Sequence, residues 1–163
     1  MIDRYIQQYG KRLYGLCLTL CRNVHDADDL YQETWLHVLK SFSSYDPNLP
    51  FEPWLTRITV NLYRSTLRRI ARVPFLRFAD NAEKDAFFDS LPAPEQEDYL
   101  PLHEAIDRLP DRLRITVILY YFRNMDISAV AEALNIPPGT VKSRLNKARS
   151  LLKGLLDDTE DNP

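Results

Sequence analysis

Between Gly139 and Lys153 the sequence GTVKSRLNKARSLLK carries Lys142, Arg144, Lys147, Arg149 and Lys153 with no Asp or Glu among them. Cations at that density attract phosphates, and the neighbouring Ser143 and Asn146 supply donors and acceptors of the kind that read base edges. A second run has the same character: from Arg57 to Arg72 there are five arginines and no acid. Within it Arg57, Asn61, Arg64 and Arg68 recur at i, i+4, i+7 and i+11, which is one line along a helix. A third group has the opposite sign. Asp26, Asp29, Gln32, Glu33 and Leu36 fall together in DADDLYQETWL. Such carboxylates can stabilise a helix N-terminus, dock a partner, or gather Mg²⁺ for hydrolysis. The metal reading is the weakest, because a single helix supplies all three acids and no opposing ligand. An exposed Leu36 among them leans toward docking.

The elements that hold these residues follow from apolar spacing. Val141, Leu145, Ala148, Leu152 and Leu155 recur at i, i+4, i+7, i+11 and i+14, a buried stripe whose far side carries Ser143, Asn146, Lys147 and Ser150. Pro138 suits the first position of that helix, where its missing N–H has no partner to lose. Before it, Ile127, Val130, Ala131 and Leu134 predict a short amphipathic helix, and Pro137, Pro138 and Gly139 the turn between. The combination is a helix-turn-helix. Upstream, a first helix is expected from Asp3 to about Leu20, through Tyr5, Ile6, Tyr9, Leu13, Leu16 and Leu20. A second runs from about Asp26 to Phe42, with Tyr31, Trp35, Val38 and Phe42 as its core side. After the loop SYDPNLP a third runs from Phe51 to about Arg72, burying Phe51, Trp54, Leu55, Ile58 and Leu62 on one side and Val60, Tyr63 and Leu67 on the other. Tyr31, Tyr45, Phe51, Trp54 and Tyr63 surround the arginine line. Most belong to the core, and aromatic groups beside cations are also how unstacked bases are held.

Four glycines in 163 residues, 45% hydrophobic content and sustained 3.6-residue periodicity predict an all-α chain of two small helical domains. No run of about 18 apolar residues could span a membrane, and the opening IDRYIQQYGKRLYGL does not read as a signal peptide. These features predict a cytoplasmic protein. Cys17 and Cys21 sit among leucines and read as core thiols; His25, His37 and His103 are too scattered to complete a metal site with them. Charge is unevenly placed. Residues 71–100 hold three basic and seven acidic side chains, while the flanking segments are near balance. With Pro74, Pro92 and Pro94 and no lasting helical stripe, residues 73–100 read as a linker, although Phe75, Leu76, Phe78, Phe87, Phe88 and Tyr99 make it stickier than a solvated one.

Taken together, these motifs resemble the extracytoplasmic-function sigma factors of bacterial RNA polymerase. DADDLYQETWLHVLKSF at 26–42 is similar to that family's polymerase-binding motif, FEPWLTRITVNLYRSTLRR at 51–69 to its −10 and melting helix, and LPDRLRITVILYYF with GTVKSRLNKARSLL to its −35 domain. The resemblance implies sigma region 2 over 1–72, a linker over 73–100, sigma region 4 over 101–156 and an acidic tail over 157–163. It implies that Asp26, Asp29, Gln32, Glu33 and Leu36 dock on core RNA polymerase. Arg57, Asn61, Arg64 and Arg68, with the loop from Ser44 to Pro50, would hold the −10 element and capture an unstacked base. Lys142, Ser143, Asn146 and Lys147 would face the −35 major groove, with Arg144 and Arg149 nearer its phosphates.

The implied partners are core polymerase, promoter DNA and an anti-sigma factor, which in some arrangements holds such a protein at the membrane. No cofactor, small-molecule substrate or catalysis is implied. Two departures from the family pattern stand out: Pro137 occupies a position usually held by a capping side chain such as Ser, and Tyr120, Tyr121 and Phe122 make an unusually aromatic run, expected to pack the second core. The alternative reading is a stand-alone helix-turn-helix regulator. It would need a dimer interface or sensor and leaves 26–42 without a role.

Overall fold

The computed structural model describes residues 1–72 and 100–160. The expected linker, apart from Leu100, lies outside the described residues. The chain divides between Leu91 and Pro92 into two compact units, and every described element is helical or turn.

In the first unit, α1 (Ile2–Cys21), α2 (Val24–Ser41) and α3 (Phe51–Arg72) pack against one another in every pairing. Leu13, Leu16, Cys17 and Leu20 of α1 meet Ala27, Leu30, Trp35 and Val38 of α2 and Leu55, Val60 and Tyr63 of α3 in a closed core. The two cysteines thus lie where small apolar groups fit. Helices α1 and α2 cross closely at Gly10, where an added Cβ would stand 3.1 Å from the Tyr31 hydroxyl. Only two residues join them. Arg22 takes the left-handed conformation (φ 67°) and closes α1 through its N–H on the Leu18 carbonyl. Asn23 then caps α2, its side-chain oxygen accepting from the Asp26 N–H at 2.8 Å. The helix therefore starts two residues earlier than its apolar stripe suggests.

At the other end of this unit Phe51, buried as the first residue of α3, lies 4.4 Å from Tyr5, 5.0 Å from Tyr9 and 5.3 Å from Tyr45 between ring centroids. Trp54 stacks obliquely on Tyr45 at 5.0 Å. This aromatic cluster ties the loop after α2 to the starts of α1 and α3.

The second unit is built on its last helix. Helix α4 (Leu100–Asp107), α5 (Asp111–Val117) and α6 (Ile127–Leu134) all pack on α7 (Pro138–Glu160). Val141, Leu145 and Ala148 are its buried stripe as expected, thinning to half-buried Leu152 and Leu155. Asp157 to Glu160, expected as tail, continue the helix. One expectation fails here. Helix α5 widens into a π-helical turn, Ile118–Phe122, in which the Arg123 N–H reaches back five residues to the Ile118 carbonyl at 3.1 Å. The wider turn rotates the chain past its 3.6-residue register. Ile118 and Leu119 stay buried, but Tyr121 is 48% and Phe122 40% exposed, so they are surface rather than core.

Candidate nucleic-acid and partner interfaces

Helix α6 is held at its start by Asp126, whose carboxylate accepts from the Ala129 N–H at 2.7 Å. Its end is a left-handed cap on Asn135 (φ 55°): the Ile136 N–H bonds the Ala131 carbonyl at 3.0 Å and the Asn135 N–H the Glu132 carbonyl at 3.3 Å. Pro137 brings no side-chain cap, and its carbonyl accepts from Thr140 and Val141 to begin α7. With Val141, Leu145 and Ala148 inward, Lys142, Ser143, Asn146, Lys147 and Arg149 are exposed and Arg144 is half-buried. Ser143 gives its hydroxyl proton to the Gly139 carbonyl at 2.8 Å, so toward a ligand it is an acceptor. Arg149 is fixed: its Nε donates to the Tyr121 hydroxyl at 2.7 Å, its guanidinium stands 5.7 Å from that ring's centre, and Nη1 donates to Asn146 Oδ1 at 3.1 Å. The aromatic run read as core thus carries a residue of the basic face.

Along α3, Asn61 and Arg68 are exposed while Arg57 and Arg64 are half-buried. The single acid of this helix, Glu52, is engaged elsewhere, 3.0 Å from Arg12 of α1. The adjoining loop has its own frame. Tyr45 donates its hydroxyl proton to the Leu49 carbonyl at 2.7 Å, Asp46 accepts from the Asn48 N–H at 3.0 Å, and Leu49 is left largely exposed. Burial pushes the Tyr45 hydroxyl above its ordinary pKa.

Along α2, Asp29, Gln32, Glu33 and Leu36 are exposed, Leu36 by 56%. Asp26 differs from the group it was read with: it is half-buried and accepts from the Asn23 amide at 2.8 Å, completing the cap. His25 Nε2 lies 3.7 Å from Asp29 Oδ2. His25, Asp26 and Asp29 bring potential ligand atoms within 4.8 Å of one another. The groove beside them is lined by Asp26, Asp29 and Glu33 on one side and Tyr63, Leu67 and Arg69 on the other. A guanidinium across the groove offsets part of the carboxylates' charge and weakens their hold on a cation; the face reads as acidic rim over apolar floor. Arg69, one of the five arginines between Arg57 and Arg72 but off the line of Arg57, Asn61, Arg64 and Arg68, lines this groove.

Comparison with known families gives these surfaces a common setting. The family model described as Sigma-70 region 2 matches residues 5–73, and that described as Sigma-70, region 4 matches residues 99–152. The chain belongs to the sigma factors of RNA polymerase. Within them it is an extracytoplasmic-function member. The SigE factor of Mycolicibacterium smegmatis is 33% identical over 94% of this chain and 61% of its own length. The EcfG factor of Rhodopseudomonas palustris is 33% identical over 91% and 82%, and Bacillus subtilis SigW 29% identical over 92% and 86%. This sigma factor thus spans 61% of the SigE relative's length and most of the other two.

Several solved structures share its fold. Bartonella quintana RpoE, solved with the anti-sigma factor NepR, has a TM-score of 0.73 at 22% identity over 96% of both chains. CnrH, solved with the cytosolic domain of CnrY, has a TM-score of 0.68 at 23% identity over 96% of this chain and 87% of that one. Sigma factors are transcription initiation factors rather than enzymes, and a family match on both domains does not favour the stand-alone regulator.

Sequence reasoning missed two residues of these surfaces, Tyr121 and Asn23. A buried cap and a π-helical turn leave no periodic signal; the one available hint was an Asn three residues before Asp26, the spacing of a helix cap.

Proposed function

We propose that this sigma factor engages core RNA polymerase through Asp29, Gln32, Glu33 and Leu36, with Asp26 holding the helix start that presents them. In this reading Arg57, Asn61, Arg64 and Arg68 and the loop from Ser44 to Pro50 hold the −10 element, and Lys142, Ser143, Asn146 and Lys147 face the −35 groove with Arg144 and Arg149 toward its phosphates. The observation that carries it is the separation of sign by surface. The outward faces of α3 and α7 are basic and the outward face of α2 is acidic, within a chain of formal net charge −2. A protein so balanced binds DNA weakly alone and gains its promoter contacts once the acids are covered by polymerase. Melting then comes from differential binding, since capture of flipped bases offsets the few kcal/mol needed to unstack them.

One structural relative was solved with an anti-sigma factor, and an anti-sigma factor is the proposed regulator here too. Among the described residues no helix is long and apolar enough to cross a membrane; the proposed place of action is the cytoplasm, with any membrane association supplied by that regulator. In vitro transcription with core polymerase and a random promoter library is the test. The expected result is a defined upstream and downstream consensus only when both components are present. Tight gel-shift binding of a palindrome by the purified chain alone would overturn the reading.

A further inference from the structure

The contact of Arg149 with both Tyr121 and Asn146 has a chemical consequence for what the helix can read. Arginine has donors and no acceptor, so the side of the Asn146 amide that faces Arg149 must be its oxygen. One of the two lone pairs on Oδ1 is thereby taken, and the two hydrogens on Nδ2 are the part of the exposed Asn146 amide left wholly to a ligand. Asparagine reads adenine by accepting from N6 through its oxygen while donating to N7. With Oδ1 engaged, that pairing is disfavoured. The two acceptors on the guanine edge, O6 and N7, match the donors that remain.

What keeps Arg149 in place is Tyr121. Its hydroxyl accepts from Nε at 2.7 Å and its ring lies beneath the guanidinium, and the π-helical turn is what brings this tyrosine to the surface. We infer that Tyr121 is a positioning residue for upstream-element recognition: it clamps Arg149, Arg149 holds Asn146 as a donor, and the base that Asn146 meets is guanine in preference to adenine. This rests on α7 facing the groove as proposed above.

The experiment uses the whole sigma factor with core polymerase on a promoter library randomised in the upstream element. Asn146→Ala identifies the position the asparagine reads, as the one whose preference disappears. At that position the unaltered protein is expected to favour guanine over adenine. Tyr121→Phe keeps the ring, and being exposed is not expected to disturb the fold; it should reduce the guanine preference by roughly three- to tenfold, the worth of one hydrogen bond, with core affinity unchanged. A preference that Asn146→Ala removes and Tyr121→Phe leaves intact overturns the clamp alone. An adenine preference at the Asn146 position overturns the donor assignment. If the unaltered protein shows no upstream preference at all, the groove-facing reading of α7 falls, and this inference with it.

Discussion

Arg114 Nε stands 3.6 Å from Asp107 Oδ1, with the arginine side chain only 1% exposed. A guanidinium withdrawn from water costs several kcal/mol unless charge and hydrogen bonds compensate it. Asp107 is the last residue of α4, where the helix dipole disfavours an acid; facing Arg114 gives that placement a reason. Asp107→Ala is therefore expected to destabilise the second unit by about 3 kcal/mol, whereas Arg114→Met, which removes the buried charge itself, should cost less. Amide hydrogen exchange in α5 measures both. Tryptophan fluorescence would miss the effect, because Trp35 and Trp54 are the chain's two tryptophans and both lie in the first unit. A larger loss for Arg114→Met than for Asp107→Ala would contradict the assignment.

The acids of α2 divide into two jobs. Asn23 and Asp26 bond each other at the helix start, while Asp29 and Glu33 point outward. Asn23→Ala should lower stability by about 1 kcal/mol, the usual worth of a cap, and leave core-polymerase affinity within about twofold once the protein is folded. Asp29→Lys with Glu33→Lys should do the reverse, weakening core binding by roughly a hundredfold or more with little change in unfolding midpoint. Pull-down of core by titrated variants, read beside chemical denaturation, separates the two. Equal effects of both changes on core binding would mean that the cap itself is part of the docking face.

Much of this arrangement is legible in the sequence because apolar residues repeat at helical spacing. The third helix, Phe51–Arg72, and the stripe Val141, Leu145 and Ala148 are where periodicity puts them. The features it missed are those that periodicity cannot carry. A π-helical turn breaks the register at Ile118 and sends Tyr121 outward, though its residue type reads as core. Arg114 is buried in the run Leu113–Leu119, where a charged residue ordinarily marks a surface. Arg69 belongs by sequence to a basic run without acids, yet lines a groove together with three carboxylates. In each case a tertiary partner decides the outcome, and a single chain read along its length does not name that partner.

The loop proposed to hold the −10 element depends on a proton. Tyr45 donates to the Leu49 carbonyl, and burial, the largest cause, raises its pKa above the ordinary tyrosine value of 10.0. A raised value means that the folded state favours the protonated form. The stabilisation is complete below pH 10.0, the unfolded value, and is lost as pH climbs through the folded one. Tyr14 is raised too, chiefly by the proton it donates to Asp28 Oδ1 at 2.7 Å. In an alkaline titration of phenolate absorbance, Tyr14 and Tyr45 should ionise above the ordinary tyrosine value of 10.0, and Asp28→Asn should return Tyr14 alone toward it. The functional counterpart is Tyr45→Phe, which keeps the ring against Phe51 and Trp54 but frees the carbonyl of Leu49. It should slow open-complex formation by about three- to tenfold, one hydrogen bond's worth, at unchanged core and upstream-element binding. An open complex that forms at the normal rate would show that the loop needs no hydroxyl anchor and that the aromatic packing alone sets its shape.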